Sequence, residues 1–276
     1  MMALYEQTTL ECSRLITKRY STSFTLGIRT LDPKYHWAIY AIYGFVRYAD
    51  EIVDTFHDFD KKTLLERFKK DTYTAIKERI SLNPVLHSFQ KVVNQYQIDY
   101  DLIDAFLLSM EMDLNETHYT EAGYETYIYG SAEVVGLMCL RVFCEGDRKM
   151  YSLLSEPARR LGAAFQKVNF LRDVKSDFHE RGRIYFPGVD FNRFSVDDKQ
   201  QIEADIQADF IAALEGIRQL PRSARLGVYL AYQYYLRLFA KIKSLPVTRI
   251  QEERIRVPDF QKVLMLAKTY FEYRLI

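Results

Sequence analysis

Cysteine is scarce in this 276-residue sequence. Cys12, Cys139 and Cys144 are odd in number and lack CxxC spacing, which speaks against a disulfide framework or a thiolate zinc site and fits a reducing cytoplasm. Glycine (11) and proline (7) are also few against 48% hydrophobic residues, a balance that disfavours a turn-rich β protein and favours long helices around a large core. Neither charge is in excess at a formal net charge of +1, and no arginine-rich block carries interleaved aromatics, so no nucleic-acid partner is expected. The longest clearly apolar run, Ala38 to Val46, falls far short of the roughly 20 residues that a membrane-spanning helix needs. The opening Met1 to Glu6 has no apolar core before a cleavage site, so a signal peptide is not expected. No Gly-Lys pair exists for a P-loop, and only one carboxylate-x-x-His, Asp54-x-x-His57, where a di-iron bundle needs two.

What is present reads as helix throughout. Residues 4 to 20 form an opening helix on Leu4, Leu10, Leu15 and Ile16, broken by the hydroxyl cluster Tyr20-Ser21-Thr22-Ser23-Phe24, which suits a turn or cap, or contact with phosphate. Asp32-Pro33 supplies a cap and a first-turn proline for a helix running to about Thr55. Further helices follow over 60 to 80, from Asn83-Pro84 to about Gln97, and from Asp101 to Leu114, where Asp113 interrupts an apolar line and reads as an acid exposed at a helix end. Tyr124 to Phe143 is apolar and carries Gly130 and Gly136, which point to close packing, a bend or ligand access. Pro157 is expected to open the next helix, which ends at a basic loop, Arg181-Gly182-Arg183, that covers an acidic site or lies in solvent. Helices at 197 to 219, 221 to 244 and 258 to 274 complete an all-α, single-domain chain of about nine or ten helices, without a linker or an alternating strand.

Two acidic stretches stand out. In a helix, Asn169, Asp173 and Asp177 at four-residue spacing share a face, in a slanted line roughly 12 Å long. Asp50 and Asp54 repeat the spacing upstream, with Arg47 three residues before Asp50 and Tyr40 and Tyr43 on the same side. One such pair is ordinarily a solvated face. Two facing lines of amide and carboxylate oxygens suit Mg²⁺, which keeps waters and shares its remaining positions with phosphates.

With both motifs in place, the chain resembles the squalene and phytoene synthase family, the head-to-head prenyl synthases, over nearly its whole length. The resemblance rests on Tyr20-Ser21-Thr22-Ser23-Phe24, Arg47-x-x-Asp50-Glu51-x-x-Asp54, Tyr127-x-Tyr129 and Gln166-x-x-Asn169-x-x-Arg172-Asp173-x-x-x-Asp177, in the family's order. Met110-Glu111-Met112-Asp113-Leu114, Gly136-Leu137-Met138 and the lack of a C-terminal anchor look most like bacterial phytoene synthases. Two positions depart from the family: Glu51 stands where aspartate is common, and Glu133 where many members have glycine.

The resemblance implies an isoprenoid synthase class I helical fold over residues 1–276 with a central active-site cavity. It also implies condensation of two geranylgeranyl diphosphates, through a cyclopropyl diphosphate, to phytoene. By the same resemblance Asp50, Asp54, Asp173, Asp177 and Tyr129 are catalytic. Tyr20, Ser21, Thr22, Ser23, Tyr43, Arg47, Gln166, Arg172, Tyr235 and Arg254 bind substrate. Asp50, Asp54, Asn169, Asp173 and Asp177 hold Mg²⁺, with Mn²⁺ as a substitute. Phe24, Tyr127, Tyr129 and Met138 line a dry cavity for the allylic cation, and the released diphosphate is the final base. The implied setting is cytoplasmic, with peripheral contact at the inner face of a membrane; no oligomeric state is implied. Squalene or dehydrosqualene synthase, acting on two farnesyl diphosphates with or without NADPH, is the alternative within the family, and a helical scaffold the alternative outside it.

Overall fold

Asp32 begins the helix on which the molecule is built. Its carboxylate accepts from the Lys34 N–H, Pro33 takes the first helical position, and the helix α3 (Pro33–Asp54) continues for 22 residues with Ala38, Ile39, Ala41, Ile42, Phe45 and Ala49 buried. The computed structural model describes residues 1–115, 118–180, 182–189, 193–252 and 254–255. Around α3 stand α1 (Met2–Tyr20), α2 (Thr22–Arg29), α4 (Lys61–Glu78), α5 (Pro84–Tyr96) and α6 (Tyr100–Asn115). Next come α7 (Glu121–Ile128), α8 (Val134–Cys144), α9 (Arg148–Val174), α10 (Val196–Gln219), α11 (Arg222–Lys243) and α12 (Val247–Glu252). Among the described residues there is no strand; a lone bridge, His118 to Ile184, ties the loop after α6 to the loop after α9. The all-α expectation holds, and the helix expected over 258 to 274 lies outside the described residues.

One expectation changes, at Pro157, and two are met. The hydroxyl cluster starts a helix: Ser21 leaves helical geometry, caps α2, and accepts from the Phe24 N–H at 3.1 Å. Pro157 does not open a helix; α9 begins nine residues earlier, with Asp147 accepting from the Met150 N–H. Proline inside a helix leaves the carbonyl four residues back without a donor, and the ring is accommodated because Gly216 of α10 faces it where a Cβ would overlap Pro157. The Tyr124 to Phe143 stretch is interrupted by a π-helical turn, Tyr129–Glu133, between α7 and α8. A Cβ on Gly130 would overlap the Ala105 carbonyl oxygen, and one on Gly162 would lie 2.6 Å from that of Ala132, so both glycines serve close helix packing. The continuous Glu121–Cys144 stretch is long and apolar enough to cross a membrane, yet 61% of its apolar window is buried against other helices.

Two apolar clusters form. One gathers α3, α4, α5, α6 and α8 around stacked Phe45 and Phe89, with ring centroids 3.8 Å apart. The other gathers α7, α9, α10 and α11 and is richer in aromatics, including Phe170 stacked on Tyr185 at 3.9 Å. A cavity runs between them, lined from one side by Ile39, Leu140 and Phe143 and from the other by Leu161, Phe165 and Ile217.

Candidate active site

Polar side chains gather at one end of this cavity. Ser21, Ser23, Tyr43, Gln166, Asn169, Arg172 and Tyr235 line it there, while Leu31, Leu140, Phe143, Leu154 and Leu220 belong to its apolar lining. The two acidic lines lie one helical turn beyond the polar lining, Arg47 four residues after Tyr43 on α3 and Asp173 four residues after Asn169 on α9. Tyr235 donates to Asn169 Oδ1 at 3.3 Å and stacks on Phe165 at 3.9 Å. Burial raises the Tyr235 hydroxyl above its usual pKa and pushes Tyr43 up to about 12, so both stay neutral donors near pH 7.

Asp50, Asp54 and Asp173 of the two lines are tied to arginines. Arg47 donates to Asp50 and to Glu51, and its guanidinium lies 4.4 Å from the Tyr20 ring centroid. Arg172 Nε donates to Asp173 Oδ1 at 3.0 Å, and Arg254 Nε approaches the same oxygen at 2.8 Å. Arg183 reaches Asp54 Oδ1 at 3.0 Å from the loop after α9, so that loop covers the acidic site. Arg181 of the same loop lies outside the described residues. Burial works against the charges of Arg172 and Arg183, but Asp173 beside one and Asp113 and Asp54 beside the other outweigh it, and both pKa values rise.

The second line crosses a change of helix type: after Val174 the helix passes into a π-helical turn, Lys175–Glu180, which carries Asp177. Asp177 is buried, and its carbonyl accepts from the Arg183 N–H at 2.7 Å.

Asp113 was expected to be exposed, and it is buried: its side chain is 4% exposed, and its Oδ2 accepts from the Tyr127 hydroxyl at 2.9 Å. Burial pushes the carboxyl up to about 7, against the pull of Arg183 and Tyr127. Sequence reasoning assigned no role to Asp113, and for Arg183 it offered only a loop that covers an acidic site or lies in solvent, without naming its partners. An acid within an apolar line was a usable signal for the first; for the second the partners are 70 and 129 residues away, beyond any local pattern. Tyr129 does not join the acidic lines. Its ring lies 5.3 Å from the Arg159 guanidinium, and the tyrosine brought to the acids is Tyr127. Thr22 is exposed and does not line the cavity. Glu133 turns to Arg159 Nε at 2.6 Å, outside the cavity lining.

Among the described residues no three acidic, histidine or cysteine side chains form a compact metal site. Paired oxygen donors on facing helices are nonetheless the donor set that fits Mg²⁺ shared with phosphate oxygens, and they do not fit a thiolate or imidazole metal.

Comparison with known proteins gives this geometry its place. The chain is 29% identical over 293 residues to the 15-cis-phytoene synthase of Synechococcus elongatus, covering 93% of this chain and 90% of that protein. It is 28% identical over 218 residues to the 4,4'-diapophytoene synthase of Staphylococcus haemolyticus, covering 75% and 72%. A solved dehydrosqualene synthase in complex with a ligand shares the fold at a TM-score of 0.83 and 20% identity, over 98% of both chains. A squalene synthase structure from Alicyclobacillus acidocaldarius does so at 0.75 and 18%, over 87% of this chain and 95% of that one. The family model for squalene/phytoene synthase matches residues 17–261, and the chain belongs to that family as a prenyltransferase.

Proposed function

We propose that the protein condenses two geranylgeranyl diphosphates head to head to phytoene, with release of diphosphate. The observation that carries this reading is the apolar cavity below a polar end that includes Arg172, with its lining along α9 running from Arg172 to Leu154.

Arg47 and Arg172 bind the diphosphates, since a planar guanidinium matches phosphate oxygens in pairs. Ser21, Ser23, Tyr43 and Gln166 add neutral hydrogen bonds at the cavity's polar end. Asp50, Asp54, Asn169, Asp173 and Asp177 would hold Mg²⁺, with Mn²⁺ as a substitute. When bound, the metal supplies Lewis-acid neutralisation of the leaving diphosphate. Phe165 and Tyr235 present stacked faces beside Asn169, where an allylic cation gains from the ring quadrupoles, and the apolar walls below exclude water from it. The proposed setting is the cytoplasm, and a lipid substrate and product suit peripheral contact with a membrane surface.

The named 4,4'-diapophytoene synthase relative favours a second reading, two farnesyl diphosphates as substrates. Product analysis by mass spectrometry decides between them: purified protein and Mg²⁺ with either diphosphate, each with and without NADPH. A forty-carbon hydrocarbon formed without NADPH is expected. A thirty-carbon product from farnesyl diphosphate alone moves the assignment to dehydrosqualene, and NADPH dependence moves it to squalene. No product from either substrate overturns the catalytic reading.

A further inference from the structure

The group that ties the acidic site to the core belongs to neither acidic line. Arg183, 10% exposed, donates from Nη1 to Asp54 Oδ1 at 3.0 Å and from Nη2 to the Asp113 carbonyl at 2.9 Å. Its backbone N–H is fixed to the Asp177 carbonyl. Asp113 faces the same guanidinium from the core side, with Oδ1 3.6 Å from Nη1. That oxygen is buried and makes no hydrogen bond, while Oδ2 is held by Tyr127. The guanidinium therefore has one carboxylate in full contact and a second, buried one just out of hydrogen-bond range.

We propose that Asp113 is a positioning residue of the diphosphate site, the buried counter-anion that keeps Arg183 between the two acidic lines when Asp54 turns to a metal. The inference rests on the reading of the site given above. A guanidinium left without an anion in a buried place moves out to water, because losing hydration uncompensated is costly. Asp54 cannot serve a cation and Arg183 fully at once. Asp113 can take over, since a shift of less than an ångström brings Nη1 within hydrogen-bond range of the orphaned Oδ1. The bond from Nη2 to the Asp113 carbonyl and the anchored backbone hold the arginine in register meanwhile. The guanidinium is then available to a diphosphate at the mouth.

Binding of inorganic diphosphate with Mg²⁺, measured by calorimetry on the full chain, tests this without turnover. Asp113→Asn keeps the shape and the Tyr127 contact but removes the charge, and is expected to weaken binding about tenfold. Arg183→Gln is expected to do the same, and the double variant to be no worse than the weaker single, because both act through one contact. A folded Asp113→Asn variant that binds as wild type, or losses that multiply in the double variant, would overturn the inference. Where Asp113→Asn does not fold, Arg183→Ala with millimolar guanidinium ion is the second test: restored affinity supports an anionic seat there, and absence of rescue overturns it. Wild-type protein that binds no Mg²⁺ and diphosphate overturns the proposed function as well, whereas normal wild-type binding with an unaffected Asp113→Asn overturns only the role of Asp113.

Discussion

The two acidic lines look alike as patterns and differ as structures. Asp50 and Asp54 sit on α3 while it is still a regular α-helix, so their four-residue spacing becomes a shared face. Asp173 and Asp177 straddle the passage of α9 into a π-helical turn, and the Asp177 backbone carbonyl is taken by the Arg183 N–H. Each line also has one arginine from its own helix, Arg47 or Arg172, and one from far along the chain, Arg183 or Arg254. Spacing thus locates donors, but the distant cations decide what those donors face.

The comparison is tested first by Asp50→Ala and Asp173→Ala. Both lines serve one transition state in the proposed reaction, so each variant is expected to lose about a thousandfold in kcat/KM while keeping its circular dichroism spectrum; one near-normal variant would break the equivalence. Next is Asp113, whose native pKa of about 7 lies above the ordinary 3.8 because of burial. A raised carboxyl pKa gives stability that is complete below about pH 4 and lost as pH rises through about 7. Denaturant titrations should therefore show wild type losing on the order of 4 kcal/mol relative to Asp113→Asn between pH 4 and 8. The remote arginines come third. Arg183 is 10% exposed and Arg254 50%, so Arg183→Gln is expected to raise KM about tenfold and Arg254→Gln only about twofold, the smaller effect fading with salt. Smallest is Glu51→Gln, where Arg47 still holds Asp50; less than about a threefold change in kcat/KM is expected.

Local chemistry was legible in the sequence wherever it stayed local. The caps at Asp32 and Asn83 and the acids themselves are read from neighbours within one or two turns, whereas the polar lining from Ser21, Tyr43, Gln166 and Arg172 followed from the family resemblance. Pro157 misled because first-turn proline is common, and only the Gly216 backbone opposite explains its place inside α9. The two π-helical turns left no spacing signal. The choice between Tyr127 and Tyr129 depended on which way the first of those turns rotates its side chains. Asp113 and Arg183 meet across 70 residues, held by loops that a lone bridge from His118 to Ile184 brings together.

The arginine partners of Asp50, Asp54 and Asp173 have a thermodynamic consequence. A cation alone must break an internal ion pair and strand a guanidinium; a diphosphate alone must compete with a carboxylate for that guanidinium. Arriving together, they exchange partners, metal to carboxylate and phosphate to arginine, with no charge left over. Loading of the proposed site is therefore a double displacement, in which cation and diphosphate each strengthen the other's binding by the same factor.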